Sequence, residues 1–211
     1  MGKPLRIKVC GLKFPHNLEQ VCQLAPDLVG YIFYPGSRRF VGERPDPELF
    51  RIPEKRSVRV GVFVNEPLNA VRNRVNAGWL DMVQLHGDEP PEYCKSLQDA
   101  GVRVIKALGA ATLENEEPVE HFYGSVDYIL LDTPAEGYGG SGRKFNWDLL
   151  DKYNLKIPFL LSGGIRPGDE KDIRALDNAW MAGVDLNSGF ETEPGLKNTD
   201  LLRDFVNKLR K

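Results

Sequence analysis

Ile7-Lys8-Val9-Cys10-Gly11 ends a short apolar run in a thiol, with an ammonium two residues before it. Residues two apart in a strand share a face. If that face is an interior one, Lys8 sits one pleat below the sulfur and favours thiolate, the basic and nucleophilic form. A buried structural cysteine is the commoner use of such a position. A second run, Leu130-Leu131-Asp132-Thr133, ends in a carboxylate, which is costly to bury unless paired or used. Behind it, Gly137-Tyr138-Gly139-Gly140-Ser141-Gly142-Arg143 has the composition of a mobile cover, an anion cradle or a plain loop.

Two later runs end in small residues, Leu161-Ser162-Gly163-Gly164-Ile165 and Asp185-Leu186-Asn187-Ser188-Gly189. Such ends leave backbone N–H groups open to an anion, and their succession is more specific than either alone. Tyr34-Pro35-Gly36-Ser37-Arg38-Arg39-Phe40 offers arginines able to fork onto a carboxylate. In Val83-Gln84-Leu85-His86-Gly87, Gln84 and His86 share a face, and a hydrogen-bonded structural role is the favoured reading of the histidine. With His16, His86 and His121 as the histidines and no ligand spacing, a zinc site is not expected.

The elements that must hold these residues are short, nearly continuous apolar runs: Arg6–Cys10, Leu28–Tyr34, Val58–Val64, Met82–His86, Val102–Leu108, Tyr128–Asp132, Pro158–Ser162 and Met181–Leu186. Continuous rather than alternating hydrophobicity suits parallel strands covered on both faces. Helical stretches separate several of them. Asn17–Leu24 opens on a candidate N-cap, Asn17. Pro67–Ala77 stops at Gly78, and Pro90–Ala100 begins with prolines and ends before Gly101. Asp169–Leu176 and Thr199–Leu209 follow, with a short candidate at Asp46–Arg51; the acidic stretch after Leu108, broken by Pro118, is the poorest helix candidate. Eight strands with helices between them permit an open doubly wound sheet or a closed barrel. Functional residues follow so many strand ends that a barrel, which gathers all of them at one mouth, is favoured. The expectation is an α/β chain folded as one (β/α)8 barrel over residues 1–211.

Composition narrows the partners. Hydrophobic residues make up 41% and charged ones 27% of the chain, an ordinary globular balance. A formal net charge of −2 gives no long-range pull toward nucleic acid or an anionic membrane, and Lys208–Lys211 reads as a solvated face. No apolar run approaches the ~20 residues of a membrane span, and Met1–Arg6 leaves no room for a signal peptide. Three cysteines without a CxxC suggest reduced thiols in a cytoplasm.

Taken in order, the motifs Lys8-Val9-Cys10-Gly11-Leu12, Gly30-Tyr31-Ile32-Phe33-Tyr34, Ser37-Arg38-Arg39-Phe40-Val41, Gly61-Val62-Phe63-Val64-Asn65, Val83-Gln84-Leu85-His86-Gly87, Leu131-Asp132-Thr133, Gly139-Gly140-Ser141-Gly142, Leu161-Ser162-Gly163-Gly164 and Ser188-Gly189-Phe190-Glu191 resemble those of the phosphoribosylanthranilate isomerase family across essentially the whole chain. The resemblance implies a cofactor-free Amadori rearrangement of N-(5′-phosphoribosyl)anthranilate to a 1-deoxyribulose phosphate in tryptophan biosynthesis, by a monomer or homodimer. By motif position Cys10 falls on the general base and Asp132 on the general acid. Arg39 falls on the residue that binds the anthranilate carboxylate. Gly163, Gly164, Ser188 and Gly189 fall in the phosphate loops, and Asp185 on an acidic position near the ribose. Lys13 and Asn187 depart from the common Thr and Ser, which touches the geometry of the phosphate end and leaves the acid–base pair intact.

These residue types suit that chemistry. Opening the furanose needs a proton at its ring oxygen, so the donating carboxyl must be neutral when it acts, which burial and substrate charge promote. The iminium so formed acidifies the neighbouring C2′ proton, which a thiolate removes. Two rivals remain. A related phosphosugar isomerase of the histidine pathway would carry a carboxylate where Cys10 stands, and indoleglycerol phosphate synthase would have an N-terminal extension. A phosphosugar-binding barrel without catalysis would bind but not turn over.

Overall fold

The computed structural model describes residues 4–53, 56–109, 117–133, 146–147, 150 and 155–211. The eight runs form strands at the expected places to within two residues: β1 Arg6–Val9, β2 Leu28–Ile32, β3 Val58–Phe63, β4 Met82–Leu85, β5 Arg103–Gly109, β6 Tyr128–Asp132, β7 Phe159–Leu161 and β8 Met181–Leu186. They pair in parallel in sequence order, and β8 returns to β1 with Lys8 beside Asp185, closing the sheet on itself. A closed barrel, rather than an open sheet, is therefore the architecture.

Closure explains the continuous hydrophobicity of the strands. Alternate residues face inward, where Leu28, Val60, Met82, Ile105, Ala107, Leu130 and Leu160 pack into a small apolar plug. Their neighbours Val29, Val83, Val104, Ile129 and Leu161 face outward into the larger core shared with the helices. Each fully buried Val, Leu, Ile or Met side chain among them contributes about 1.5–3 kcal/mol.

The helices are α1 Pro15–Cys22, α2 Glu48–Arg51, α3 Leu68–Asn76, α4 Pro91–Gln98, α5 Glu117–Glu120, α6 Glu170–Ala175 and α7 Thr199–Leu209. α7 buries Leu202, Phe205, Val206 and Leu209 at helical spacing, and the Asn198 side chain caps it by accepting from the N–H groups of Asp200 and Leu201. Asn17 does not cap α1. That helix starts two residues earlier with a proline in its first turn and Phe14 at the cap, because proline suits a position whose N–H has no helical partner. Asn17 is instead buried, and its amide donates to the Lys197 carbonyl at 2.9 Å and accepts the Lys197 N–H at 2.8 Å.

That tie fastens an element absent from the sequence reading. A 3₁₀ turn, Ser188–Phe190, leads into an antiparallel hairpin of β9 Glu191–Glu193 and β10 Leu196–Lys197 before α7. The segment after Leu108 extends β5 by one residue and then yields α5. The glycine-rich stretch Gly137–Arg143 lies outside the described residues. Among the described residues no helix is long and apolar enough to cross a membrane.

Candidate active site

Above the apolar plug, the inward positions become polar toward the carboxyl ends of the strands. There a cavity opens, with about 810 Å³ of empty space reaching out into the solvent of its mouth. Cys10, Arg39, Asp132, Gly163, Gly164, Asp185, Ser188 and Gly189 all line it. Eight residues chosen along 180 positions of sequence thus meet in one space.

The wall made by β1 and β8 is densely charged. Lys8 is fully buried, with its Nζ 3.0 Å from Asp185 Oδ1. Burial opposes its charge, but the Asp185 carboxylate and the neighbouring Cys10 outweigh that and raise the ammonium's pKa, so Lys8 stays a cation. Burial is also the largest influence on Asp185 and pushes its carboxyl up against the pull of Lys8. The short contact to a cation sealed from water assigns the pair as ionic. For Cys10 burial again dominates. It raises the thiol above its ordinary value of 9.0, Asp185 adds to that, and Lys8 and Lys197 pull the other way without prevailing. The sequence expectation that Lys8 favours thiolate is right about the direction of its pull. Desolvation of the anion is the larger effect and keeps the resting group a thiol.

Across the cavity, Asp132 is mostly buried at the end of β6. Its Oδ1 accepts the Thr133 N–H at 2.8 Å, and its Oδ2 lies 3.5 Å from His86 Nε2. Gln84, buried beneath, has its Nε2 2.9 Å from His86 Nδ1. The sequence favours a structural role for His86; the structure places it in the cavity wall facing a carboxylate.

The third wall follows β7 and β8. Gly163 has a φ of +83°, and a Cβ there would lie 2.3 Å from Thr133 Oγ1 and 2.9 Å from Asp132 Oδ1, so only glycine lets this loop lean on the Asp132 strand. Gly189 runs so close to the Ile165 carbonyl that a Cβ would lie 2.2 Å from it. The two glycine-bearing loops therefore adjoin. The backbone N–H groups of Gly163, Gly164, Ser188 and Gly189 donate to no other described residue, which leaves them available to an anion.

At the mouth the structure separates the two arginines. Arg38 is exposed, whereas Arg39 lines the cavity. Arg39 Nε lies 3.0 Å from both Glu191 oxygens and Nη2 2.6 Å from Oε2, a forked grip, and Ser37 Oγ accepts the Arg39 N–H at 3.1 Å. Lys197 Nζ, buried on β10, donates to Glu191 Oε1 at 2.7 Å and to Asn187 Oδ1 at 2.8 Å. Burial works against ionisation of Glu191, yet Arg39 and Lys197 together hold its carboxyl below the usual range. Glu191 and Lys197 carry no spacing signal, since the hairpin that brings them here has none. The departure at Asn187 is absorbed into this network, while Lys13 lies over the Phe14 ring at 5.2 Å rather than in the cavity lining.

Comparison with known proteins places these features in company. The family model described as N-(5′-phosphoribosyl)anthranilate (PRA) isomerase matches residues 7–208. The N-(5′-phosphoribosyl)anthranilate isomerase of Parabacteroides distasonis is 46% identical over 204 residues, covering 96% of this chain and 92% of its own length. A crystal structure of phosphoribosyl anthranilate isomerase in complex with reduced 1-(o-carboxyphenylamino)-1-deoxyribulose 5-phosphate superposes with a TM-score of 0.79 at 32% identity, covering 97% of this chain and 98% of that one. A structure of monomers generated from the dimeric isomerase of Thermotoga maritima gives a TM-score of 0.78 at 32% identity, with the same coverage.

Proposed function

The chain belongs to the N-(5′-phosphoribosyl)anthranilate isomerase family, and from that premise we propose that it rearranges N-(5′-phosphoribosyl)anthranilate to 1-(2-carboxyphenylamino)-1-deoxyribulose 5-phosphate with Cys10 as base and Asp132 as acid. The observation that carries the assignment of roles is the sharing of one cavity by the thiol and the carboxyl, with bare backbone N–H groups at its third wall. The phosphoryl end sits on Gly163, Gly164, Ser188 and Gly189. Asp185, paired with Lys8, lies beside the ribose. The anthranilate carboxylate meets Arg39; since Glu191 occupies Nε and Nη2, the substrate takes the Nη1 side, whose direction Glu191 fixes.

Asp132 delivers a proton to the ring oxygen, the C1′–O bond breaks, and the anilino nitrogen supplies the electron pair that forms the iminium. That cation acidifies C2′–H. Cys10 removes this proton, and the electron pair moves toward nitrogen to give the enolamine, which tautomerises to the ketose. The active base is the fraction of Cys10 that has already released its proton to solvent; the pull of Lys8 and Lys197, joined by the positive charge formed at the iminium, favours that thiolate. The wall residues supply all the acid–base groups, so the reading includes no cofactor.

The same reading makes residues 1–211 one catalytic domain of the cytoplasm, acting on a small phosphorylated molecule as a monomer or homodimer, without nucleic-acid or membrane partners. Turnover is tested by the fluorescence change of freshly generated substrate, with wild type, Cys10→Ser and Asp132→Asn run side by side. Each variant is expected to lose at least ~10²-fold in kcat with modest change in KM. Binding of a phosphosugar without turnover by wild type would instead identify a non-catalytic barrel.

A further inference from the structure

The two oxygens of Asp132 are not equivalent. Oδ1 is engaged by the Thr133 N–H, whereas Oδ2 faces His86 Nε2 at 3.5 Å. A carboxyl that gives up its proton in a mostly buried site leaves an anion behind, and Asp185, which feels Asp132 electrostatically, makes that anion harder to bear. Something must meet the charge on Oδ2.

His86 is set up for this by the residue beneath it. Gln84 Nε2 lies 2.9 Å from His86 Nδ1. A carboxylate accepts and does not donate, so a neutral ring that bonds to Asp132 carries its proton on Nε2, and Nδ1 is then left to accept from the Gln84 amide. That tautomer aims N–H at Oδ2. A separation of 3.5 Å is too long for a strong hydrogen bond. Contacts of this kind are often long before substrate binds and shorten as charge develops.

We propose that His86 is a positioning residue for the general acid: its Nε2–H, oriented by Gln84, holds Asp132 Oδ2 toward the sugar and receives the charge left when the proton departs. The inference rests on the role given to Asp132 above and adds to it a residue that acts through that carboxyl. Oδ2 has a second lone-pair side, so in the neutral acid it donates its proton to the ring oxygen while accepting from the imidazole. After transfer, the same imidazole N–H becomes a charge-assisted bond. The interaction is stronger after the proton has moved than before, which is the condition for lowering a barrier rather than merely binding.

The test combines kinetics with the ring's protonation state. His86→Leu removes the donor and is expected to lower kcat by about 10- to 100-fold, the range of one hydrogen bond to a charged group, with KM unchanged. His86→Gln, whose amide nitrogen reaches the place of Nε2, is expected to recover a substantial part of that loss. A purely structural histidine would show equal loss in both variants, or a loss in stability without a change in kcat. Either result, or a change confined to KM, overturns the proposal. Independently of whether the variants fold, ¹⁵N NMR of wild type, with His16 and His121 as internal references, is expected to show His86 protonated on Nε2 and bare at Nδ1. A proton on Nδ1 overturns the proposal. An inactive wild type, or Asp132→Asn at full rate, would sink the parent reading and this one with it. Normal His86 variants beside a dead Asp132→Asn would sink this one alone.

Discussion

Two lysines on opposite faces of the barrel wall show what burial by itself does not reveal. Lys8 pairs with Asp185 at side-chain exposures of 0% and 6%, and Lys106 pairs with Glu89 at 2% and 2%. By residue type, distance and burial the pairs are near twins. Lys8, however, points inward with Cys10, so its neighbours are a thiol and the carboxylates of the cavity. Lys106 stands between Ile105 and Ala107, which line the interior, and so points outward. There its Nζ donates to the Gly87 carbonyl at 2.6 Å, and Glu89 accepts the N–H groups of Asn65 and Gly87 at 2.7 and 2.9 Å. The outer pair fastens two loops below the His86 turn, whereas the inner one sets the electrostatics of the candidate base. The strand face, not burial, separates fastening from chemistry.

The difference is open to attack, most severely at the outer pair. Lys106→Met strands the Glu89 carboxylate among backbone donors and is expected to cost about 3–5 kcal/mol of stability, read from urea unfolding, because one partner of a buried pair is left uncompensated. The loss should appear in stability more than in turnover per folded molecule; the opposite pattern would move Lys106 into the catalytic machinery. Lys8→Met should unfold more easily too, but by less, since Asp185 borders a cavity and still feels Lys197. Its distinguishing mark is chemical: without the ammonium the Cys10 thiol rises further, so the alkylation rate climbs at higher pH than in wild type. An unchanged profile would falsify the link between Lys8 and the sulfur.

Wild type itself gives the third measurement. Because burial holds the Cys10 thiol above 9.0, thiolate grows as pH rises, and alkylation at Cys10 should still be increasing past that value in the absence of substrate. A plateau at neutral pH would mean that the inner cations outweigh desolvation. The smallest effect is the control. Asp204→Asn removes an i,i+4 partner of Lys208 on an exposed face of α7, and no shift in the urea midpoint is expected.

Much of this arrangement is legible in the chain. The eight apolar runs, their turn residues and the small residues after β7 and β8 carry local signals that need no partner to interpret. Cys10 and Asp132 stand out because each ends such a run. Other residues stay hidden for identifiable reasons. Asn17 reads as a cap from its neighbours, yet its partner is the Lys197 backbone. Glu191 and Lys197 lie in a hairpin too short to show a period. His86 carries no mark of function until Gln84 and Asp132 are seen beside it. By residue type alone Arg38 and Arg39 are interchangeable; motif resemblance points to Arg39, and the turn after β2 is what brings it into the cavity.

Periodicity and punctuation along the chain determined the strands, the helices and the residues delivered to the strand ends, because backbone geometry repeats over a few residues and side-chain type responds to it. Only the closed barrel decided that Lys8 meets Asp185, that Glu191 grips Arg39 and that Cys10 stays a thiol at rest. Those outcomes depend on contacts between distant segments and on exclusion of water, and both exist only once β8 has paired with β1.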